Sequence, residues 1–204
     1  MAQLDFWVSI GSTYSYLSVM RIGRAAQAVG VAVRWRPFNV RTIMIAQDNI
    51  PFRDKPVKLA YMWRDIARRA ARYGLPARLP TPYPLPQMEL ANRVALVGME
   101  QGWGPDYIRA TYRRWFVDGQ PAGESPNLEA SLTEVGQDVR AIFDIADSDA
   151  VGEALEDETA EAQALGVFGS PSFVVGREVF WGDDRLEDAL EWAATGRIAP
   201  SEGG

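Results

Sequence analysis

The residues best placed for chemistry lie near the start of the chain, in Leu4-Asp5-Phe6-Trp7-Val8-Ser9-Ile10-Gly11-Ser12-Thr13-Tyr14-Ser15-Tyr16-Leu17. The apolar run around Phe6 and Val8 suits a buried strand. Gly11 permits a backbone that other residues resist, and Ser12 stands where a helix N-cap belongs. A strand that turns into a helix in this way aims backbone N–H groups and partial positive charge at one point. An anion is favoured there, a thiolate included. The same residues also suit a capped helix that binds nothing.

The 204 residues include no Cys and no His. That removes disulfides, redox dithiols and thiolate metal sites, along with the commonest general base and zinc ligand. Catalysis is left to carboxylates, Lys, Tyr, Ser, the backbone, or a reactive group brought by a cofactor. Lys plus Arg number 21 and Asp plus Glu 27, a net charge of −6 that argues against a general nucleic-acid binder. No apolar run is long enough to span a bilayer, and the first residues carry no secretory pattern. The expectation is a cytoplasmic protein with neither metal nor membrane partner.

The elements that must position the opening stretch follow from hydrophobic spacing. A first helix is predicted from Thr13 to Val29, ended by Gly30. A strand follows in which Val31, Val33 and Trp35 are buried while Ala32, Arg34 and Arg36 face out. Residues 37–55 read as irregular. Asp54 then caps a helix that has Pro56 in its first turn, Leu59, Met62, Trp63, Ile66, Ala70 and Tyr73 on one face, and Gly74 as its stop. Pro76, Pro80, Pro82, Pro84 and Pro86 force an extended passage. Further helices are marked by Met88, Ala91, Val94 and Ala95, and by Tyr107, Ile108, Thr111, Trp115 and Phe116 after Gly104-Pro105. Others begin at Asn127, at Asp138 and at Ser148. The chain ends in a hairpin, Ser172–Val175 and Glu178–Trp181 around Gly176-Arg177, and a helix opened by an Asp184/Glu187 capping box. Ser201-Glu202-Gly203-Gly204 is a polar tail.

This order is β-α-β, a long helical block, then β-β-α. The simplest α/β packing joins both ends into one four-stranded mixed sheet, with residues 1–54 and 166–204 as one domain and 55–165 as a large all-helical insertion. The architecture resembles the disulfide-oxidoreductase branch of the thioredoxin superfamily. Asp5-Phe6 with Ser12-Thr13-Tyr14-Ser15-Tyr16-Leu17 resembles the opening of 2-hydroxychromene-2-carboxylate isomerases and kappa-class glutathione transferases, which usually carry proline where Thr13 stands. Trp35-Arg36-Pro37, Asn49-Ile50-Pro51 and Lys58-Leu59-Ala60-Tyr61 are similar to further segments of that family. So are Gly166-Val167-Phe168-Gly169-Ser170-Pro171-Ser172-Phe173 and Trp181-Gly182-Asp183-Asp184-Arg185-Leu186.

The resemblance implies a thioredoxin-like fold, glutathione as cofactor, a homodimer, and Ser12 as the catalytic group beside the glutathione sulfur. A hydroxyl donor and a helix start both favour thiolate over thiol. Thr13 in place of proline restores a backbone donor and loosens the turn. By the same resemblance Pro171 is a cis-proline that exposes the Ser170 main chain to the cofactor's cysteinyl backbone; read without it, a trans proline opening a strand is favoured. Asp183 and Asp184 bind the γ-glutamyl end, or serve as helix caps. Asn49 and Lys58 reach the glycyl end, though a lysine there also suits a solvated helix face. Trp63, Tyr107, Trp115 and Phe116 line an aromatic pocket or pack in the core. The implied reaction is glutathione-dependent isomerisation of 2-hydroxychromene-2-carboxylate or a similar conjugated aromatic keto acid. A kappa-like transferase and a non-catalytic thioredoxin-like binding module are the alternatives. The zero Cys count excludes a self-contained thiol oxidoreductase.

Overall fold

The first strand, β1 (Gln3–Val8), buries Leu4, Phe6, Trp7 and Val8. Such near-continuous burial belongs to a strand covered on both faces. The computed structural model describes residues 2–50, 52 and 54–200. Pro51 and the tail Ser201–Gly204 lie outside the described residues. β2 (Ala32–Pro37) pairs parallel to β1, β3 (Ser172–Val175) pairs antiparallel on its other side, and β4 (Glu178–Trp181) pairs antiparallel to β3. The order β2-β1-β3-β4 is the four-stranded mixed sheet that the sequence predicts. Phe6 sits at its centre, opposite Trp35 and Phe173 in register. Its ring meets Trp35 edge-on at 4.8 Å and stacks on Phe173 at 5.4 Å, both favoured aromatic geometries.

The predicted first helix is two: α1 (Ser15–Val19) and α2 (Ile22–Ala28). The chain leaves helical geometry at Arg21, φ −127°, where the guanidinium reaches Asp183 and Glu187. Tertiary pairing overrides local propensity there. The stretch read as irregular holds α3 (Val40–Ala46), capped by Asn39, whose Oδ1 accepts from the Arg41 N–H at 3.1 Å. Its β-branched composition hides the helical pattern. In α4 (Pro56–Tyr73) the N-cap is Lys55, without a side-chain cap bond, so Asp54 does not cap it. Pro56 and a left-handed Gly74 bound this helix as expected, and Met62, Ile66 and Ala70 face inward.

The proline passage from Pro76 to Pro86 contains neither helix nor strand. Hydrogen bonds from Arg78 N to Phe116 O at 2.7 Å and from Trp115 Nε1 to Pro82 O at 2.7 Å hold it down. The helices α5 (Met88–Gln101), α6 (Gly104–Arg113), α7 (Asn127–Glu134), α8 (Val139–Ala146) and α9 (Asp149–Ala164) follow, with a π-helical turn at Arg114–Asp118. Asp138 and Ser148 cap α8 and α9 through their side chains. After β4 a short turn, Asp183–Arg185, leads into α10 (Leu186–Thr195). Neither Asp184 nor Glu187 caps it. Arg185 is its N-cap, and the two acids pair with Arg185 and Arg21 instead.

Strand β2 departs from its predicted alternation. Arg36 is only 9% exposed, lies 4.3 Å over the Trp7 ring, and pairs with Glu158 at 2.7 Å and Glu161 at 2.5 Å on α9. One core cluster runs from the sheet (Leu4, Phe6, Phe173) through the helices between β2 and β3 (Met62, Tyr107, Trp115). Among the described residues no helix is long and apolar enough to cross a membrane. Because Phe6 is fully buried between two aromatic partners, Phe6→Ala is expected to cost about 3–5 kcal/mol. Urea denaturation checks this, and a loss below about 1.5 kcal/mol would mean that the sheet centre repacks freely.

Candidate active site

The turn that leaves β1, Ser9-Ile10-Gly11-Ser12, is closed by a hydrogen bond from Ser12 N to Ser9 O at 3.0 Å. Gly11 takes φ +129°, a backbone that favours glycine, and a Cβ there would also press on the Met88 side chain at 3.1 Å. Buried backbone groups need partners, and side chains supply them. Asn92 of α5 accepts from Ile10 N at 2.8 Å and donates to Ile10 O at 2.9 Å, imitating a neighbouring strand. The Tyr112 hydroxyl of α6 lies 3.0 Å from both Ser9 O and Ser12 O. Ser9 N donates to Ser170 Oγ at 2.9 Å, and the hydroxyl of Ser15 lies 2.8 Å from the same oxygen.

Ser12 does not cap a helix. α1 begins three residues later and has only five residues, so its dipole adds little. The partly buried Ser12 hydroxyl donates instead to Ser170 O at 2.5 Å. The Ser170–Pro171 peptide bond is cis. Thr13 does not loosen the turn: it is buried, and its hydroxyl bonds Met62 Sδ at 3.0 Å, tying the turn to α4.

A cleft of about 310 Å³ opens beside this turn. Of the residues singled out from the sequence, Ser170, Pro171, Asp183 and Asp184 line it together, and Ser12 reaches its edge through the bond to Ser170. Asn49 and Lys58 are not part of its lining. Asn49 is exposed, with its backbone N–H on Met44 O at 2.8 Å. Lys58 is also exposed, its Nζ 5.8 Å from the Phe52 ring centre. Tyr107, Trp115 and Phe116 are fully buried core residues, while half-buried Trp63 meets Tyr83 edge-on at 6.0 Å.

Sequence reasoning missed Tyr14, Asp65, Arg69 and Trp181 as cleft residues. Asp65 and Arg69 stand one turn apart on α4, a polar pair on a helix whose Met62, Ile66 and Ala70 are buried, which was the available signal. The Tyr14 hydroxyl bonds Asp65 Oδ2 at 3.0 Å. Burial, then the bond and charge of Asp65, push the Tyr14 phenol far above its ordinary range, so it stays protonated.

The two neighbouring aspartates differ. The Asp183 side chain is 1% exposed and accepts from Ser18 Oγ at 2.9 Å, Arg21 at 3.2 Å and Arg69 at 2.8 Å. Burial works against the charges of Arg21 and Arg69, but their acidic partners outweigh it and raise both pKa values. Asp184 is half-exposed and pairs with Arg185 at 3.1 Å. Asp183 therefore ties α1, α4 and the turn before α10 together, and Asp184 keeps a solvent-facing carboxylate at the cleft.

A family model described as a DsbA-like thioredoxin domain matches residues 3–191. A 2-hydroxychromene-2-carboxylate isomerase of Pseudomonas sp. (strain C18) is 31% identical over 186 residues, covering 90% of this chain and 86% of the relative. Glutathione S-transferase kappa 2 of Caenorhabditis elegans is 24% identical over 206 residues, covering 94% and 91%. The solved structure of a 2-hydroxychromene-2-carboxylate isomerase superposes with a TM-score of 0.80 at 27% identity, covering 90% of both chains.

Two measurements test this arrangement. Asp183→Ala leaves Arg69 without a carboxylate and Arg21 with Glu187 alone and is expected to cost about 3 kcal/mol, whereas Asp184→Ala changes stability by less than about 0.5 kcal/mol. Equal effects in urea titrations would reject the division between them. Burial also pushes the Tyr16 phenol up to about 12. The folded state thus holds the protons of Tyr14 and Tyr16 more tightly than the unfolded chain, in which tyrosine titrates near about 10. Their contribution is complete below about pH 10 and is lost as pH rises through the folded values. Urea midpoints that stay flat from pH 9 to about 11.5 would contradict it.

Proposed function

Because this chain belongs to the DsbA-like thioredoxin-domain family and, within it, to the 2-hydroxychromene-2-carboxylate isomerases, we propose that it is a glutathione-dependent isomerase of 2-hydroxychromene-2-carboxylate or a similar conjugated aromatic keto acid. The observation that carries this reading is the Ser12 hydroxyl. It is partly buried beside the cleft residue Ser170, and among the described residues its partner is the Ser170 carbonyl. With no Cys in the chain, the nucleophilic sulfur is the cofactor's.

The residues present fit the tripeptide. The cleft volume of about 310 Å³ falls within the range of small-molecule sites. Ser12 supplies a hydroxyl donor. Ser170 supplies a main chain at the cleft wall, and Asp184 an outward carboxylate near the turn that would hold the γ-glutamyl end. Glutathione, when bound, supplies the sulfur that adds to the conjugated substrate and leaves again after bond rotation. Ser12 would donate its hydroxyl hydrogen bond to that sulfur, favouring thiolate over thiol and so lowering the thiol pKa. Turning the Ser12 hydroxyl away from Ser170 O frees the donor for sulfur and the carbonyl for a peptide N–H of the ligand in one movement. Asn49 and Lys58 are proposed for the glycyl end, beyond the cleft lined by Ser170 and Asp184.

The second reading is a kappa-like transferase, favoured by the likeness to the Caenorhabditis elegans protein. An absorbance assay with and without glutathione, followed by assay of glutathione itself, separates the two. Turnover that needs glutathione and leaves it unconsumed is expected. Stoichiometric loss into a conjugate assigns the transferase, and no calorimetric binding of glutathione leaves a non-catalytic module. Ser12→Ala is expected to raise the pKa of the bound thiol by about one unit or more, while the fold persists. An unchanged ultraviolet thiolate titration would remove Ser12 from the chemistry.

A further inference from the structure

The reactive turn takes a hydrogen bond that the proposed chemistry does not use. Tyr112 is fully buried in α6, packed beside Trp115 and Phe116 at ring distances of 5.6 and 6.2 Å. Its hydroxyl reaches the carbonyl oxygens of Ser9 and Ser12, each at 3.0 Å. Ser9 O already accepts from Ser12 N, so the fold does not need the phenol to satisfy it. Ser12 O belongs to the residue whose hydroxyl the glutathione reading sets beside the sulfur.

We propose that Tyr112 is a positioning residue for the thiolate site, holding Ser12 in place and drawing the negative ends of two carbonyl dipoles toward its own proton. This inference rests on the glutathione reading above. Carbonyl oxygens near a developing sulfur anion oppose it, and a donor fixed on them in a low-dielectric interior offsets that opposition. The donor persists at every working pH, because burial pushes the Tyr112 phenol far above its ordinary range. The titratable side chains that line the cleft are Tyr14, Asp65, Arg69, Asp183 and Asp184, and none of them bonds Tyr112.

The test is ultraviolet titration of glutathione bound to the wild-type protein and to Tyr112→Phe, with S-methylglutathione affinity by calorimetry as the control. Removing the hydroxyl is expected to lower the thiolate fraction about tenfold at fixed pH below the thiol pKa, a rise of about one pKa unit. S-methylglutathione, which has no proton to lose, should bind within about twofold of wild type. An unchanged thiol pKa in folded Tyr112→Phe overturns the inference while leaving the glutathione reading intact. Absence of glutathione binding by the wild-type protein overturns both. Should Tyr112→Phe fail to fold, 3-fluorotyrosine at position 112, a stronger donor of nearly the same size, is expected to lower the thiol pKa. No change there overturns the inference equally.

Discussion

The structure depends on how one four-residue turn, Ser9 to Ser12, finds partners for its buried backbone. A turn at the end of a central strand has neither ladder nor helix to satisfy it. Asn92, Tyr112 and Ser170 do so, from α5, α6 and the cis-proline loop. Two of the three arise in the helices between β2 and β3. Those helices are therefore more than a cover on the sheet, since two of the side chains that hold the turn come from them.

The same logic governs the other wall of the cleft. Asp183 is a carboxylate that leaves water almost completely, and two guanidiniums with a serine replace its hydration. A pair of this kind adds little net stability over an apolar equivalent but penalises any arrangement that leaves one member alone. It sets the place of α1, α4 and the β4–α10 turn relative to one another. Asp184, one residue on, is then available for a ligand because its neighbour has taken the structural role.

Much of this was legible in the sequence where one residue's neighbours along the chain decide its fate. The apolar runs at Phe6 and Phe173, the Gly176-Arg177 hairpin, the helix start at Asp138 and the Ser148 cap are local patterns, and the structure follows them. Reading failed where a distant element decides. Arg36 looked solvent-facing because nothing nearby in sequence announces Glu158 and Glu161. Ser12 looked like a cap because the delayed start of α1 depends on bonds to Ser170 and Tyr112. Asn92 left a trace that passed unread, a polar residue between Ala91 and Ala95 on a face that Met88 also shares. Asn49 and Lys58 came from resemblance alone, and resemblance carries no coordinates.

The buried arginine of β2 has one more consequence, for solubility. A strand with an unpaired side is a template on which another chain can extend the sheet. On β2, Arg36 is clamped by Glu158 and Glu161 and Arg34 by Asp5. A newcomer strand arriving there would have to lay its own side chains beside these charged pairs, which disfavours an apolar neighbour. The residue that broke the expected alternation thus also sets paired charge beside the open side of β2, where an unpaired strand most needs it.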